Sequence, residues 1–303
     1  MSSRNRTGRS TPLFFTPMGR VRLLIAYDGT DFHGWQRQEP PGLPPLRTVQ
    51  GTLQEALTEV VSAPLALVGA SRTDAGVHAL GQVAAFSADH RVPLDRLPMA
   101  VNARLPADVR VRGAEAVADD FDPISHCTSK CYRYTIEHGC DGRDGREGAL
   151  VFERRTVWQT WHRLDPAPMR EAAAALVGTH DFAGLANASH GRETTVRTVF
   201  GCTVMQPRAG RLVIEIAGSG FLYNMVRIIE GTLVEVGRGR IGPAQVREIL
   251  RTQDRTHAGP TLPPQGLRLE WIAYGSQRGL EAAGAAPAGA GAGADAAAED
   301  ACE

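Results

Sequence analysis

Gly69-Ala70-Ser71-Arg72-Thr73-Asp74-Ala75-Gly76-Val77-His78-Ala79 is a stretch of small residues with two charges, Arg72 and Asp74, near its middle. Short apolar runs of strand length flank it at residues 67–70 and 82–86, so the stretch is expected to be a loop between two strands. Its glycines and alanines leave room for a bulky partner to approach the backbone. Composition alone leaves two accounts of Asp74 open. Its carboxylate either caps the local backbone in an Asx turn or is presented to a ligand.

Working outward, strands and helices alternate on both sides of this loop. Residues 21–27 alternate Val21, Leu23, Ile25 and Tyr27 with other residues, the period of a strand. Thr48 is placed to cap a helix reaching Ser62, with Leu53, Leu57 and Val60 on one side. Further helices are expected over 94–104, from Asp165-Pro166 to Gly178, over 221–236 and over 243–252. Strands are expected over 109–117, 131–138 and 267–274, with a hairpin of 198–205 and 211–217 around Pro207-Arg208-Ala209-Gly210. Two lobes of similar α+β composition follow, residues 20–118 and 119–276. Residues 1–19 are polar and basic, and 277–303 are Ala/Gly repeats with scattered acids. Neither segment can bury a core, and both are expected to be disordered.

The formal net charge of the 303 residues is zero. That balance hides an asymmetry, because from Glu281 onward the chain has Glu281, Asp295, Glu299, Asp300 and Glu303 and no basic residue. The remainder is therefore basic, and its cations are guanidinium groups apart from the single lysine, Lys130. A guanidinium binds two phosphate oxygens at once, so the composition permits nucleic-acid binding without requiring it. No apolar run is long enough for a membrane span or a signal peptide, and a cytoplasmic protein is expected. Five cysteines form no disulfide framework. His126, Cys127, Cys131, His138 and Cys140 are close in sequence, but Tyr132-Arg133-Tyr134-Thr135-Ile136 between them reads as a strand with no turn to gather zinc ligands. No metal site is expected.

The loop resembles the catalytic loop of the TruA family of tRNA pseudouridine synthases, and other segments resemble that family in its order. Tyr27-Asp28-Gly29-Thr30-Asp31-Phe32-His33-Gly34-Trp35-Gln36-Arg37-Gln38 is similar to its opening motif, and Thr48-Val49-Gln50 to the start of its first helix. Asn102-Ala103-Arg104-Leu105-Pro106, Tyr132-Arg133-Tyr134, His180-Asp181-Phe182, Arg197-Thr198-Val199, Phe221-Leu222-Tyr223-Asn224-Met225-Val226-Arg227 and Gly266-Leu267-Arg268-Leu269 follow. The similarity covers about residues 20 to 275. One departure stands out. After Phe121 the family has an Ala-Arg pair, whereas Asp122-Pro123-Ile124 stands here, removing an arginine expected to contact RNA backbone.

The resemblance implies an α+β fold of two ferredoxin-like lobes sharing an antiparallel sheet, with a basic cleft between them. It implies an isomerase that converts uridine to pseudouridine in tRNA, at positions 38, 39 and 40 of the anticodon stem-loop, acting as a homodimer without cofactor. Asp74 maps onto the nucleophile and Arg227 onto its salt-bridge partner. Tyr132 maps onto a residue that stacks on the target base and helps move a proton. Arg72 is implied to hold the place or phosphate of the extruded nucleotide, while His78 is either a structural histidine or a contact to RNA. By periodicity alone Arg227 fits a solvent-facing helix position equally well, and Tyr132 fits core packing beside Tyr134 and Ile136. A non-catalytic tRNA-binding factor on the same scaffold is the alternative. A hydrolase with an aspartate nucleophile lacks a second carboxylate or a metal motif near Asp74.

Overall fold

A computed structural model describes residues 16–140, 147–187 and 193–275. Most of the expected basic arm and all of the expected acidic tail lie outside the described residues. In chain order the elements are β1 (Thr16–Tyr27), α1 (Val49–Val61), β2 (Val68–Gly69), β3 (His78–His90), α2 (Leu97–Asn102), β4 (Val109–Val117), β5 (Cys127–His138), α3 (Glu147–Glu153), β6 (Trp158–Thr160), α4 (Pro166–Ala174), β7 (Gly178–Asp181), β8 (Val196–Arg208), β9 (Arg211–Gly218), α5 (Met225–Gly237), α6 (Pro243–Thr252) and β10 (Leu267–Tyr274). The fold is mixed α+β around one large sheet.

The sheet order is β4-β1-β3-β10-β5-β9-β8-β7, with β2 added on β3 and β6 on β5. Its pairings are antiparallel except β10 with β3 and β5 with β6. The last strand of the chain thus fills the middle of the sheet, joining strands of the first half to strands of the second. That parallel seam is short, pairing only Arg268 with His78 and Leu269 with Ala79. Both of the first-half partners directly follow the catalytic-type loop, so the loop emerges where the two halves meet.

Local physics accounts for the elements that frame this seam. In β1 the alternating residues Val21, Leu23, Ile25 and Tyr27 are all buried, while Leu24 faces outward. Thr48 accepts a hydrogen bond from Gly51 N at the start of α1, and Ser62 closes that helix in the left-handed conformation. The hairpin of β8 and β9 turns at Ala209-Gly210, where Gly210 has φ +79°.

Several expectations are corrected. The first strand begins at Thr16, inside the expected arm, because residues 16–20 still pair with β3. The expected helix over 94–104 is confined to Leu97–Asn102. The helix after Asp165 stops at Ala174 rather than at Gly178. There the amides of Ala175, Leu176 and Val177 bond three residues back, tightening the chain, and Gly178 opens β7 instead. The helix expected from Phe221 starts only at Met225, because Asn224 takes φ 58° and breaks helical continuity. Elements α3, β6 and β7 were not expected from the sequence. Among the described residues no helix is long and apolar enough to cross a membrane, and no three His, Cys, Asp or Glu side chains gather as a metal site.

Candidate active site

The loop between β2 and β3 is held by the segment following β1. Trp35 N donates to Thr73 O at 3.0 Å, Gly76 N to Phe32 O at 3.4 Å, and Tyr27 Oη bonds Thr73 Oγ1 at 2.7 Å. Two glycines are required by contact. A Cβ on Gly34, which also has φ +88°, would lie 2.7 Å from Thr73 O, and one on Gly69 would lie 2.3 Å from Trp35 Nε1. The Tyr27–Gln38 motif is therefore the bed on which the loop rests.

Along the loop the side chains alternate. Ser71 and Thr73 are buried, Arg72 is exposed and Asp74 is half-buried. Gln82, fully buried in β3, fixes this register by bonding both backbone groups of Ser71: Nε2 donates to Ser71 O at 2.6 Å, and Oε1 accepts from Ser71 N at 3.3 Å. Such a two-point bond substitutes for a strand partner and leaves no buried polar group wasted. Sequence reasoning missed Gln82. Its signal was a lone amide inside an otherwise apolar strand.

Arg227 approaches from α5. Its Nη1 donates to Asp74 Oδ2 at 3.2 Å and to Asn224 Oδ1 at 3.1 Å, and its Nε donates to Leu262 O at 2.6 Å. The guanidinium is only 15% exposed, and Asp74 is 32% exposed. The left-handed Asn224 that delays the helix thus also supplies an acceptor that orients Arg227. Tyr223, expected one helical turn before Arg227, lies outside the helix on the strand-to-helix connection.

Tyr132 on β5 packs edge-on against Phe221, with ring centroids 5.4 Å apart and planes at 86°. Its hydroxyl bonds Ser71 Oγ at 2.9 Å. Burial pushes its phenol up to about 12, with the Asp74 charge acting in the same direction and the Ser71 bond opposing both. Lys130, two residues earlier on the same strand, donates to Ala70 O at 3.1 Å and to Ser71 Oγ at 3.3 Å. Lys130 and Ser71 were not singled out from the sequence as site residues.

These groups line a cavity of about 870 Å³, a volume suited to a nucleotide. Its charged lining residues are Arg72, Asp74, Lys130 and Arg227, three cations to one carboxylate. Ile124 stands on its wall, 53% exposed, where the family pattern has arginine. The turn there is closed by Asp122 Oδ1, which accepts from the amides of Ile124 and Ser125.

His78 is placed differently. It is buried outside the cavity lining, accepts from Gly29 N at Nδ1 (3.1 Å), and bonds Arg155 O through Nε2 (2.8 Å). Nδ1 also lies 3.1 Å from Asp28 Oδ1, so Asp28, Gly29 and Arg155 grip the ring at once. Burial lowers its pKa, against the upward pull of Asp28. The structure thus brings Asp74, Arg227, Tyr132 and Arg72 to one cavity and sets His78 behind the loop as a tie between segments.

Comparison with known proteins follows the same lines. The family described as tRNA pseudouridine synthase matches residues 23–124 and 172–275, stretches that include Arg72, Asp74, His78 and Arg227, while Lys130 and Tyr132 fall between them. The tRNA pseudouridine synthase A of Thermoanaerobacter sp. (strain X514) is 41% identical over 257 residues, 85% of this chain and 100% of that protein. The protein of the same name from Geobacter sp. (strain M21) is 43% identical over 258 residues, 85% of this chain and 99% of its own. That from Acetivibrio thermocellus is 40% identical over 258 residues, covering 85% and 100% respectively.

Proposed function

The chain belongs to the family of tRNA pseudouridine synthases, and from that premise we propose that it isomerises uridine to pseudouridine on the 3′ side of the anticodon stem-loop of tRNA, at positions 38, 39 and 40. It is an isomerase acting on tRNA. The reaction breaks the bond from C1′ to N1, turns the uracil, and joins C1′ to C5. The hydrogen leaves C5 and N1 gains one, so atoms balance without a redox step or a second substrate.

In this reading Asp74 acts at C1′, where the departing uracil leaves positive charge that a carboxylate can trap or stabilise. Arg227 aims that carboxylate through their 3.2 Å contact. Tyr132 lines the same cavity, where its ring meets the base. Arg72, exposed beside Asp74, engages a phosphate or the gap left by the nucleotide, since a base in a stem must leave the stack to react. The observation that carries the proposal is the 3.2 Å contact of Arg227 Nη1 with Asp74 Oδ2 inside a cation-lined cavity. That ion pair is what catalysis needs and simple binding does not, which disfavours a non-catalytic tRNA-binding role.

The finer architecture belongs to the same proposal: lobes of residues 20–118 and 119–276, each ferredoxin-like, a terminal arm and tail outside them, and two copies of the chain serving one tRNA. The test is to incubate purified protein with unmodified tRNA transcripts and map pseudouridine by carbodiimide adducts. Modification restricted to the anticodon stem-loop is expected. Absence of any pseudouridine would overturn the activity, and modification elsewhere would overturn the assigned positions.

A further inference from the structure

The three groups Lys130 Nζ, Ser71 Oγ and Tyr132 Oη form an unbroken chain, with separations of 3.3 and 2.9 Å. An ammonium can only donate, so the Ser71 oxygen must accept from Lys130. Ser71 is buried, and the only other partner recorded for its hydroxyl among the described residues is Tyr132 Oη. Donation from Ser71 to Tyr132 gives the Ser71 hydrogen an acceptor and leaves the Tyr132 hydrogen to the cavity that Tyr132 lines. Each bond then strengthens the next, because an oxygen that accepts becomes a better donor. The opposite orientation, Tyr132 donating to Ser71, would leave the Ser71 hydrogen without a recorded acceptor.

We propose that Lys130 and Ser71 are positioning residues that hold the Tyr132 hydroxyl with its hydrogen turned into the cavity, as a donor to a carbonyl oxygen of the departing uracil. This rests on the uridine-isomerising function proposed above. Uracil leaving C1′ takes the bonding electrons, and the negative charge spreads onto its ring nitrogen and carbonyl oxygens. A preoriented donor aimed where that charge develops lowers the barrier more than it tightens ground-state binding. No proton is transferred in this step. The phenol, pushed up to about 12 by burial, is neutral at working pH and so has its hydrogen to offer. Lys130 at the head of the chain also places a positive charge near the cavity without itself touching the base.

The roles predict a specific pattern in single-turnover assays with tRNA tritiated at uracil C5. Lys130→Met and Ser71→Ala should each slow tritium release at saturating tRNA by about 10- to 100-fold, the worth of a charge-assisted hydrogen bond. Affinity for tRNA should stay near wild type in both. The double variant should be no slower than the slower single, because both act through one chain. Lys130→Arg, which can still donate to Ser71, should keep most of the rate. If the two losses multiply in the double variant, the chain is not the working unit and the proposal falls. It falls equally if Lys130→Met weakens tRNA affinity while leaving the saturated rate intact, since Lys130 would then be a phosphate contact. Should Lys130→Met not fold, Ser71→Ala decides: a full saturated rate overturns the proposal. Failure of the wild-type protein to release tritium at all would sink the functional reading itself, a separate outcome.

Discussion

Arg227 Nη1 lies 3.2 Å from Asp74 Oδ2, and the same nitrogen is held by Asn224 Oδ1 while Nε is held by Leu262 O. The pair joins residues 153 positions apart in the chain, one on the loop before β3 and the other on α5. Asp74→Asn keeps the shape of the side chain and removes its charge. Single-turnover pseudouridine formation should fall by about 10⁴-fold or more, as for loss of a nucleophile, while tRNA binding persists. Arg227→Leu should lose less, and the double variant should be no worse than Asp74→Asn, since both substitutions disable one unit. Arg227→Lys should recover only part of the loss, because an ammonium on an unbranched stem cannot reproduce the fork held by Asn224 and Leu262. Appreciable turnover by Asp74→Asn would remove it from the reaction.

Arg72 is exposed in the cavity wall beside Asp74 and has no ion-pair partner recorded among the described residues. If it meets a tRNA phosphate, Arg72→Ala should weaken binding and lower the slope of log affinity against log salt concentration by about 0.7 to 0.9. Filter binding across a salt series measures this. An unchanged slope would assign Arg72 to the gap left by the flipped nucleotide instead.

Gly69 has no room for a side chain, since its Cβ would meet the Trp35 ring at 2.3 to 2.5 Å. Gly69→Ala should cost about 1–3 kcal/mol of stability through overpacking. It should also reduce turnover, because Trp35 holds the loop through Thr73 O. Thermal melting and single-turnover rates together check this; a variant with a wild-type melt and a slow rate would point to loop displacement alone.

Glu230 is fully buried on α5, and neither carboxyl oxygen has a hydrogen-bond partner among the described residues. Burial raises its pKa well above 4.5, although Arg227 pulls it down. Above about pH 4.5 the unfolded chain releases this proton and the folded protein does not. Stability should therefore decline as pH rises, by up to about 1.4 kcal/mol per pH unit until the folded-state pKa is reached. Glu230→Met replaces the carboxyl with a side chain of similar length that needs no partner. Its melting temperature should exceed that of wild type, with the gap widening as the pH rises above about 5. A constant gap would mean that Glu230 is already ionised in the fold.

The sequence by itself determined what is local. The two-residue period of Val21 to Tyr27, the Thr48 cap and the Ala209-Gly210 turn of the β8–β9 hairpin each depend on neighbours in the chain, and they were read correctly because propensity, capping and periodicity act over a few residues. The family motifs likewise picked out Arg72, Asp74, Tyr132 and Arg227 as residue types in a fixed order. Only the tertiary structure decided which of these meet. Nothing within reach of Asn224 in sequence announced that it would adopt φ 58°, end the connection from β9, and orient Arg227 toward Asp74. The place of β10 between β3 and β5 was equally hidden, because strand pairing across such separations is selected by the burial of whole faces. The same holds for His78. Its position in the loop motif left a structural tie and a contact with RNA both open, and packing set its nitrogens against Gly29, Asp28 and Arg155, because a buried imidazole must satisfy its polar atoms wherever the fold brings partners to it.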